Sequence, residues 1–158
     1  MAIHIGQPDW PAAESTFLMD EMVAPVCSPS FLAQHPISRA QDISTLPLLH
    51  MASRPGAWDH WFQSLGLAVQ NAPAMRFEQF SSVAQGCIAG LGVALMPLFL
   101  IDIELKAGQL VAAFDHQVKS PSSYYAVAPL SRINHAPVVL FRQWLLAEVE
   151  GFRADNER

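Results

Sequence analysis

Hydrophobic and polar residues alternate along several short stretches of this chain, and a period of two is typical of half-buried β-strands. The longest alternating stretch covers 17–26, while the fully apolar run at 93–96 predicts a buried strand that ends at Pro97. By these criteria we expect strands at 3–5, 17–26, 47–51, 75–80, 93–96, 110–114 and 124–128.

Between these strands, apolar residues recur at helical spacing. Trp58, Trp61 and Phe62 share one stripe of the segment 57–65, and Gly66 ends it. Helices are also expected after Ser28, over 81–89, over 98–106 and from Pro137 onward. The alternation of strands with helices predicts an α/β fold built on largely parallel sheets.

Two lobes are expected from the distribution of these elements. Continuous strand–helix alternation predicts one compact lobe over 27–120. The segments 1–26 and 121–158 have no local pairing partners, and we expect them to form another, incomplete lobe. The strand at 3–5 has no preceding element with which to pair, so we expect further sequence upstream of Met1.

Composition narrows the class of protein. Apolar residues make up 51% of the chain and charged residues 15%, which argues against intrinsic disorder. A net charge of −5 without a cluster of Lys and Arg gives this chain no electrostatic footprint for nucleic acid. The uncharged run between Glu78 and Asp102 is broken by polar residues, Gly and Pro, so a buried helix, a glycine turn and a buried strand explain it better than a membrane span. Without a signal peptide at the start of the chain, we expect a cytoplasmic protein.

The motifs indicate no catalysis, no cofactor and no metal ion. Gly90-Leu91-Gly92 closes a helix instead of opening one, which argues against a dinucleotide loop. The six histidines lack metal-ligand spacing, and Cys27 and Cys87 are best interpreted as buried free thiols. Asp20 and Glu21 are consecutive on a strand, so they face opposite sides and cannot form a catalytic pair.

Ser81 and Ser82 stand at a predicted helix start directly after a strand. Free backbone N–H groups and the positive end of the helix dipole meet there, which suits a carboxylate or another small anion. The alternative is that both serines simply cap their helix. Tyr124 and Tyr125, on a predicted strand, place one ring toward the core and the other toward a cleft or solvent.

Six further segments follow one another along the chain in a characteristic order: Ala2-Ile3-His4-Ile5-Gly6, Pro8-Asp9-Trp10, Pro25-Val26-Cys27-Ser28-Pro29, Phe77-Glu78-Gln79-Phe80-Ser81, 89–97 and Phe141-Arg142-Gln143-Trp144-Leu145. This ordered set resembles the effector-binding domain of LysR-type transcriptional regulators, and within that family the glycine-cleavage and β-lactamase-regulator branch. The resemblance covers nearly the whole chain.

This resemblance implies a periplasmic-binding-protein-like (type 2) α/β fold, with two lobes joined by crossover strands and a small-molecule cleft between them. The first lobe, 1–26 with 121–158, would be incomplete, and the DNA-binding helix-turn-helix is absent from the chain. The family's ligand-binding positions fall on Ser81, Ser82, Tyr124, Asp9 and, more weakly, Ser53. A further Ser or Thr of the cleft would lie upstream.

The expected function is therefore the sensing of a small, anionic effector by a transcription regulator. The expected partners are that effector and further copies of the chain, as a dimer or tetramer in the full-length form. DNA would be bound only through the absent N-terminal domain, and no membrane is expected as a partner. Two alternatives remain open: a solute-binding protein of a transport system, which shares the fold, and a small α/β enzyme.

Overall fold

The computed structural model describes residues 1–68 and 74–156, with side chains described up to Arg153. Within these residues the chain forms seven strands, six α-helices and two single 3-10 turns. In order they are β1 (Ala2–Gly6), β2 (Ala13–Cys27), α1 (Pro29–Gln34), α2 (Ala40–Ile43), β3 (Leu48–Met51), α3 (Ala57–Ser64), β4 (Ala74–Phe77), α4 (Phe80–Ile88), β5 (Val93–Pro97), a 3-10 turn (Leu98–Leu100), α5 (Asp102–Lys106), β6 (Val111–Ala112), β7 (Val118–Pro129), a 3-10 turn (Leu130–Arg132) and α6 (Ala136–Asn156).

Most of these elements were expected from the sequence, with different ends. The strand predicted over 75–80 ends at Phe77, because α4 already begins at Phe80. The strand predicted over 110–114 has only two residues, and the segment 98–106 is a 3-10 turn followed by α5 rather than one helix. The short helix α2 was not expected.

The strands pair in a mixed arrangement, so the expectation of largely parallel sheets was wrong. β3 pairs in parallel with both β4 and β5, whereas β2 is antiparallel to β5 and β6, and β1 is antiparallel to β7. Parallel neighbours need a long crossover, and helices α3 and α4 supply it on either side of β4. Only a loop connects β1 to β2, so no crossover helix lies between these two strands.

The chain divides into two compact units. The first contains residues 1–21 and 120–158, and the second contains residues 22–119. The sequence placed the boundaries after 26 and after 120. Residues Val23 to Val26 of β2 pair with β5, which explains why this stretch belongs with the second unit. β2 and β7 are the two strands that run from one unit into the other.

The second unit buries both faces of its central strands. Leu48 and Val93 pack with Trp58, Trp61 and Phe62 of α3 in one cluster. Their strand neighbours Leu49 and Ala94 belong to another cluster, which contains Val83 and Cys87 of α4. Because successive side chains of a strand point to opposite faces, α3 and α4 cover opposite sides of β3 and β5.

The first unit has a smaller core. Leu145 of α6 packs with Leu18 of β2 and Ala126 of β7. Arg142, one turn earlier on α6, forms an ion pair with Glu14 of β2. The final helix is thus fixed to the strands of its own unit.

The uncharged run at 79–101 contains the half-buried helix α4, a glycine turn and the buried strand β5, as expected. Gly90 ends α4 with φ +78°, a left-handed conformation that favours glycine. No helix within 1–68 and 74–156 combines the length and apolar character needed to cross a bilayer.

Cys27 and Cys87 are both buried free thiols, which confirms the interpretation from sequence. Burial raises the pKa of Cys27 to about 11 and that of Cys87 to about 12. The Cys87 thiol donates a hydrogen bond to the carbonyl of Val26 at 3.2 Å. Neither cysteine is therefore ionised near neutral pH. Redox chemistry requires the ionised thiolate form.

We expect the free energy of unfolding to fall as the pH rises above about 9. The thiols ionise near their ordinary pKa of 9.0 in the unfolded chain, while the folded chain keeps them protonated up to about pH 11. Within that pH range, each thiol lowers the free energy of unfolding by about 1.4 kcal/mol per pH unit. Urea denaturation at pH 8, 9.5 and 10.5 measures this slope. The matched control is the double variant Cys27→Ala/Cys87→Ala, and an equal slope in that variant contradicts the assignment.

Candidate functional site

Ser81 and Ser82 lie in the first turn of α4, and both are exposed. The residue that caps the helix is Gln79, whose backbone is extended and whose side chain makes no capping hydrogen bond. The backbone amide of Ser82 donates to the carbonyl of Gln79 at 3.1 Å. The alternative in which the serines are plain helix caps is therefore wrong, because the cap position falls two residues before Ser81.

Ser53 lies at the same edge of the second unit. β3 and β4 are parallel, with Met51 opposite Phe77, and the amide of Ala52 donates to the carbonyl of Phe77 at 2.8 Å. Ser53 follows directly, exposed, in the turn after β3. The carboxyl ends of both strands thus meet at one edge, which is where open α/β sheets bind ligands.

Arg54 adds a positive charge to this edge, and the sequence analysis did not identify it. Its guanidinium carbon lies 4.6 Å from the centre of the Phe80 ring, the first residue of α4. The guanidinium therefore lies against the side chain of the first residue of α4, and its charge has the same sign as that end of the helix dipole. We call Ser53, Arg54, Ser81 and Ser82 the helix-start cluster. Hydroxyls, free amides and a guanidinium together favour a small anion.

Tyr124 lies on β7 in the first unit and is half-buried. Its hydroxyl donates to Oε1 of Glu21 at 2.9 Å, and the preceding Ser123 donates to Oδ1 of Asp20 at 2.7 Å. Asp20 and Glu21 thus accept hydrogen bonds from two different residues, in agreement with their predicted opposite orientations on a strand. Glu21 was missed as the partner of Tyr124, because no local pattern links residues so far apart in sequence.

Asp9 is exposed in the loop between β1 and β2. Its neighbour Trp10 packs edge-on against Tyr125 with ring centres 5.5 Å apart, and Gln7 donates to the carbonyl of Pro121. These contacts hold the loop beside β7. The predicted site residues therefore fall into two groups: Ser53, Ser81 and Ser82 in the second unit, and Asp9 and Tyr124 in the first.

Metal-binding groups do not cluster in the described part of the chain. No three His, Cys, Asp or Glu residues there lie close enough together to hold an ion.

Comparison with known proteins identifies the family. The LysR substrate binding domain matches residues 1–150. The glycine cleavage system transcriptional activator of Escherichia coli K12 is 35% identical over 166 aligned positions, which cover all of this chain and 53% of the activator. The regulator TrpI of Pseudomonas aeruginosa is 34% identical, over 92% of this chain and 50% of TrpI. This chain thus spans about half the length of these curated relatives.

Solved structures agree with this assignment. The AmpR effector-binding domain of Citrobacter freundii superposes with a TM-score of 0.84 at 26% identity, over 94% of this chain and 74% of that one. The AmpR effector domain of Pseudomonas aeruginosa gives 0.87 at 24% identity, over 99% and 75%. The α/β fold is accordingly the periplasmic-binding-protein-like type 2 fold that the resemblance implied. The chain belongs to the family of LysR substrate-binding domains.

Proposed function

We propose that this chain is the effector-binding module of a LysR-type transcriptional regulator and that it senses a small anionic metabolite. The helix-start cluster carries the proposal, because it joins exposed hydroxyls, the free amides of α4 and a guanidinium at the carboxyl ends of two parallel strands. The matched relatives are transcriptional regulators by name, which supports a regulatory role over transport or catalysis.

A relative's substitutions support the choice of residues. An effector-binding domain from Citrobacter freundii has been solved with a Thr→Val, a Ser→Ala and a Tyr→Phe substitution. The substituted Ser and Tyr of that protein are separated by as many residues as Ser81 and Tyr124 are here. We propose that Ser81, Ser82 and Tyr124, together with Asp9 and Ser53, contact the effector.

We further propose that the whole protein binds DNA through a helix-turn-helix that precedes this chain and that it acts in the cytoplasm. The test is to translate the genomic sequence immediately upstream of Met1 in the same frame. An in-frame helix-turn-helix with a linker helix is expected. A secretion signal in its place would contradict the proposal and support a solute-binding protein of a transport system.

The double variant Ser81→Ala/Ser82→Ala is expected to weaken the binding of a carboxylate effector by about tenfold or more. A hydrogen bond to a charged group contributes about 1.5–3 kcal/mol, more than the exposed helix dipole does. Stability is expected to stay within about 0.5 kcal/mol, because neither serine caps α4. Calorimetry and urea denaturation measure the two effects. Ser131→Ala, at another exposed serine, is the matched control, and an unchanged affinity in the double variant contradicts the assigned role.

We also propose that the module forms a homo-oligomer through α6. Leu140 is 66% exposed and Trp144 54% exposed, and Phe141 between them is exposed as well. Contiguous apolar side chains of this kind mark association surfaces. Trp144→Glu is expected to convert the oligomer to a monomer in light scattering, whereas Gln143→Glu, on the same helix, is not. A wild-type monomer at high concentration contradicts the proposal.

A further inference from the structure

His50 lies on β3 between the edge of the sheet and helix α3. It pairs directly with Arg76 of the parallel strand β4, so the two side chains point to the same face of the sheet. Leu48, two residues earlier on β3, packs with Trp58 and Trp61, which shows that α3 covers this face. His50 is half-buried there, whereas Arg76 is exposed.

The surroundings of His50 favour its neutral imidazole. Burial lowers the pKa of His50 below its ordinary value of 6.5, the Arg76 guanidinium lowers it further, and the Asp59 carboxylate of α3 opposes both effects. His60, the next residue of α3, donates its Nε2–H to the carbonyl of Lys119 at 3.0 Å. β5, on the other side of β3, carries no ionisable side chain, and α4 covers the opposite face of the sheet.

β4 is the element whose movement exposes His50 at the lowest cost. Among the described residues, β4 pairs only with β3 and forms the edge of the sheet. Three of its four residues are exposed, so its separation brings little further apolar surface into water. Movement of α3 would instead expose Trp58 and Trp61, whose exposure is at most 2%.

We infer that His50 is a pH-sensitive switch whose protonation releases the edge strand β4 from β3. The protonated imidazole needs water and lies opposite the Arg76 guanidinium, and separation of the strands relieves both costs. Separation returns the pKa of His50 toward 6.5, so the open state binds the proton more readily than the closed state. The equilibrium constant for opening therefore rises as the pH falls below about 6.5.

The switch lies directly beside the helix-start cluster. Only Glu78 and Gln79 separate β4 from α4, and the amide of Ala52 donates to the carbonyl of Phe77 at the end of β4. Release of β4 removes this hydrogen bond and loosens the start of α4. An effect of pH on effector binding by this route rests on the proposed function, whereas the release of β4 does not.

Hydrogen exchange of the whole chain at pH 7.5, 6.5 and 5.5 tests the switch. The readout is the protection of the β4 amides, corrected for the intrinsic exchange rate at each pH, with β5 of the same sheet as the internal reference. Between pH 7.5 and 5.5 the protection of β4 is expected to fall about three- to tenfold, because one proton changes the constant by at most about tenfold per pH unit. β5 is expected to keep its protection, because it lies between two other strands.

Three variants identify the group that takes the proton. His50→Gln cannot gain a charge, so the protection of β4 should be the same at the three pH values. Arg76→Gln, at an exposed side chain, removes the facing charge and should reduce the pH effect without abolishing it. His135→Gln, at an exposed histidine of the other unit, is the matched control and should keep the pH effect of the wild type.

The inference is overturned if the protection of β4 does not change with pH or if His50→Gln changes as the wild type does. Where His50→Gln does not fold, an unreduced pH effect in Arg76→Gln overturns it. Equal loss of protection in β5 and β4 overturns it as well, because the unit then opens as a whole. These measurements use no effector, so they decide on the switch even if the chain binds no small carboxylate.

Discussion

Replacing Trp61 with alanine is expected to lower the free energy of unfolding by about 3–5 kcal/mol. Trp61 is fully buried in the second unit, where its ring makes edge contacts with Trp58, Phe62 and Phe114. Its indole N–H donates to the carbonyl of His116 at 3.0 Å. The substitution therefore leaves a cavity and also removes the donor of a hydrogen bond between α3 and the segment that precedes β7.

Urea denaturation followed by circular dichroism measures this loss without depending on tryptophan fluorescence. Ile103→Ala, at an apolar side chain that is 78% exposed and lies outside α6, is the control and should cost less than about 1 kcal/mol. If both substitutions cost the same, Trp61 does not occupy the centre of the core. An unchanged denaturant slope would show that the substitution lowers the stability without changing the surface exposed on unfolding.

Gly92→Ala is expected to destabilise the chain by about 3 kcal/mol, at the upper end of what overpacking costs. A Cβ atom at Gly92 would lie 2.2 Å from the backbone carbonyl oxygen of Pro47. That oxygen accepts a hydrogen bond from the amide of Val93 at 2.9 Å, so it cannot move away without breaking the contact that leads into β5. The close approach of two backbones, and not the backbone dihedral, requires glycine here.

Gly151→Ala serves as the matched control for Gly92→Ala. A Cβ at Gly151 meets nothing within 4 Å, and the residue lies inside α6, so alanine should stabilise the helix by about 1 kcal/mol. Thermal and urea denaturation of both variants test the pair. Equal stability of Gly92→Ala and the wild type would contradict the backbone contact between 92 and Pro47.

The periodicity of the sequence was sufficient to predict most elements, because their signals are local. Serine with proline after it starts α1, where Ser28 accepts from the amide of Phe31, and the aromatic stripe of α3 points into the core as expected. The parallel order of the strands was wrong, since pairing depends on which strands meet in space. No pattern within β2 shows that its last residues pair with β5.

The candidate site was predictable in part for the same reason. Ser81 and Ser82 stand where a strand-to-helix change is visible in the sequence, although the cap proved to be Gln79. Arg54 could have been found, because it follows Ser53 directly after a predicted strand. The hydrogen bond between Tyr124 and Glu21 could not be predicted, because it joins two strands that only the folded chain brings together.

The most direct test of the account is titration calorimetry of the wild-type chain and of Ser81→Ala/Ser82→Ala against a panel of small metabolite carboxylates. The account predicts at least one saturable interaction with the wild type, weakened by about tenfold or more in the double variant. Saturable binding that is equal in the two proteins, or no saturable binding of any carboxylate, would contradict it.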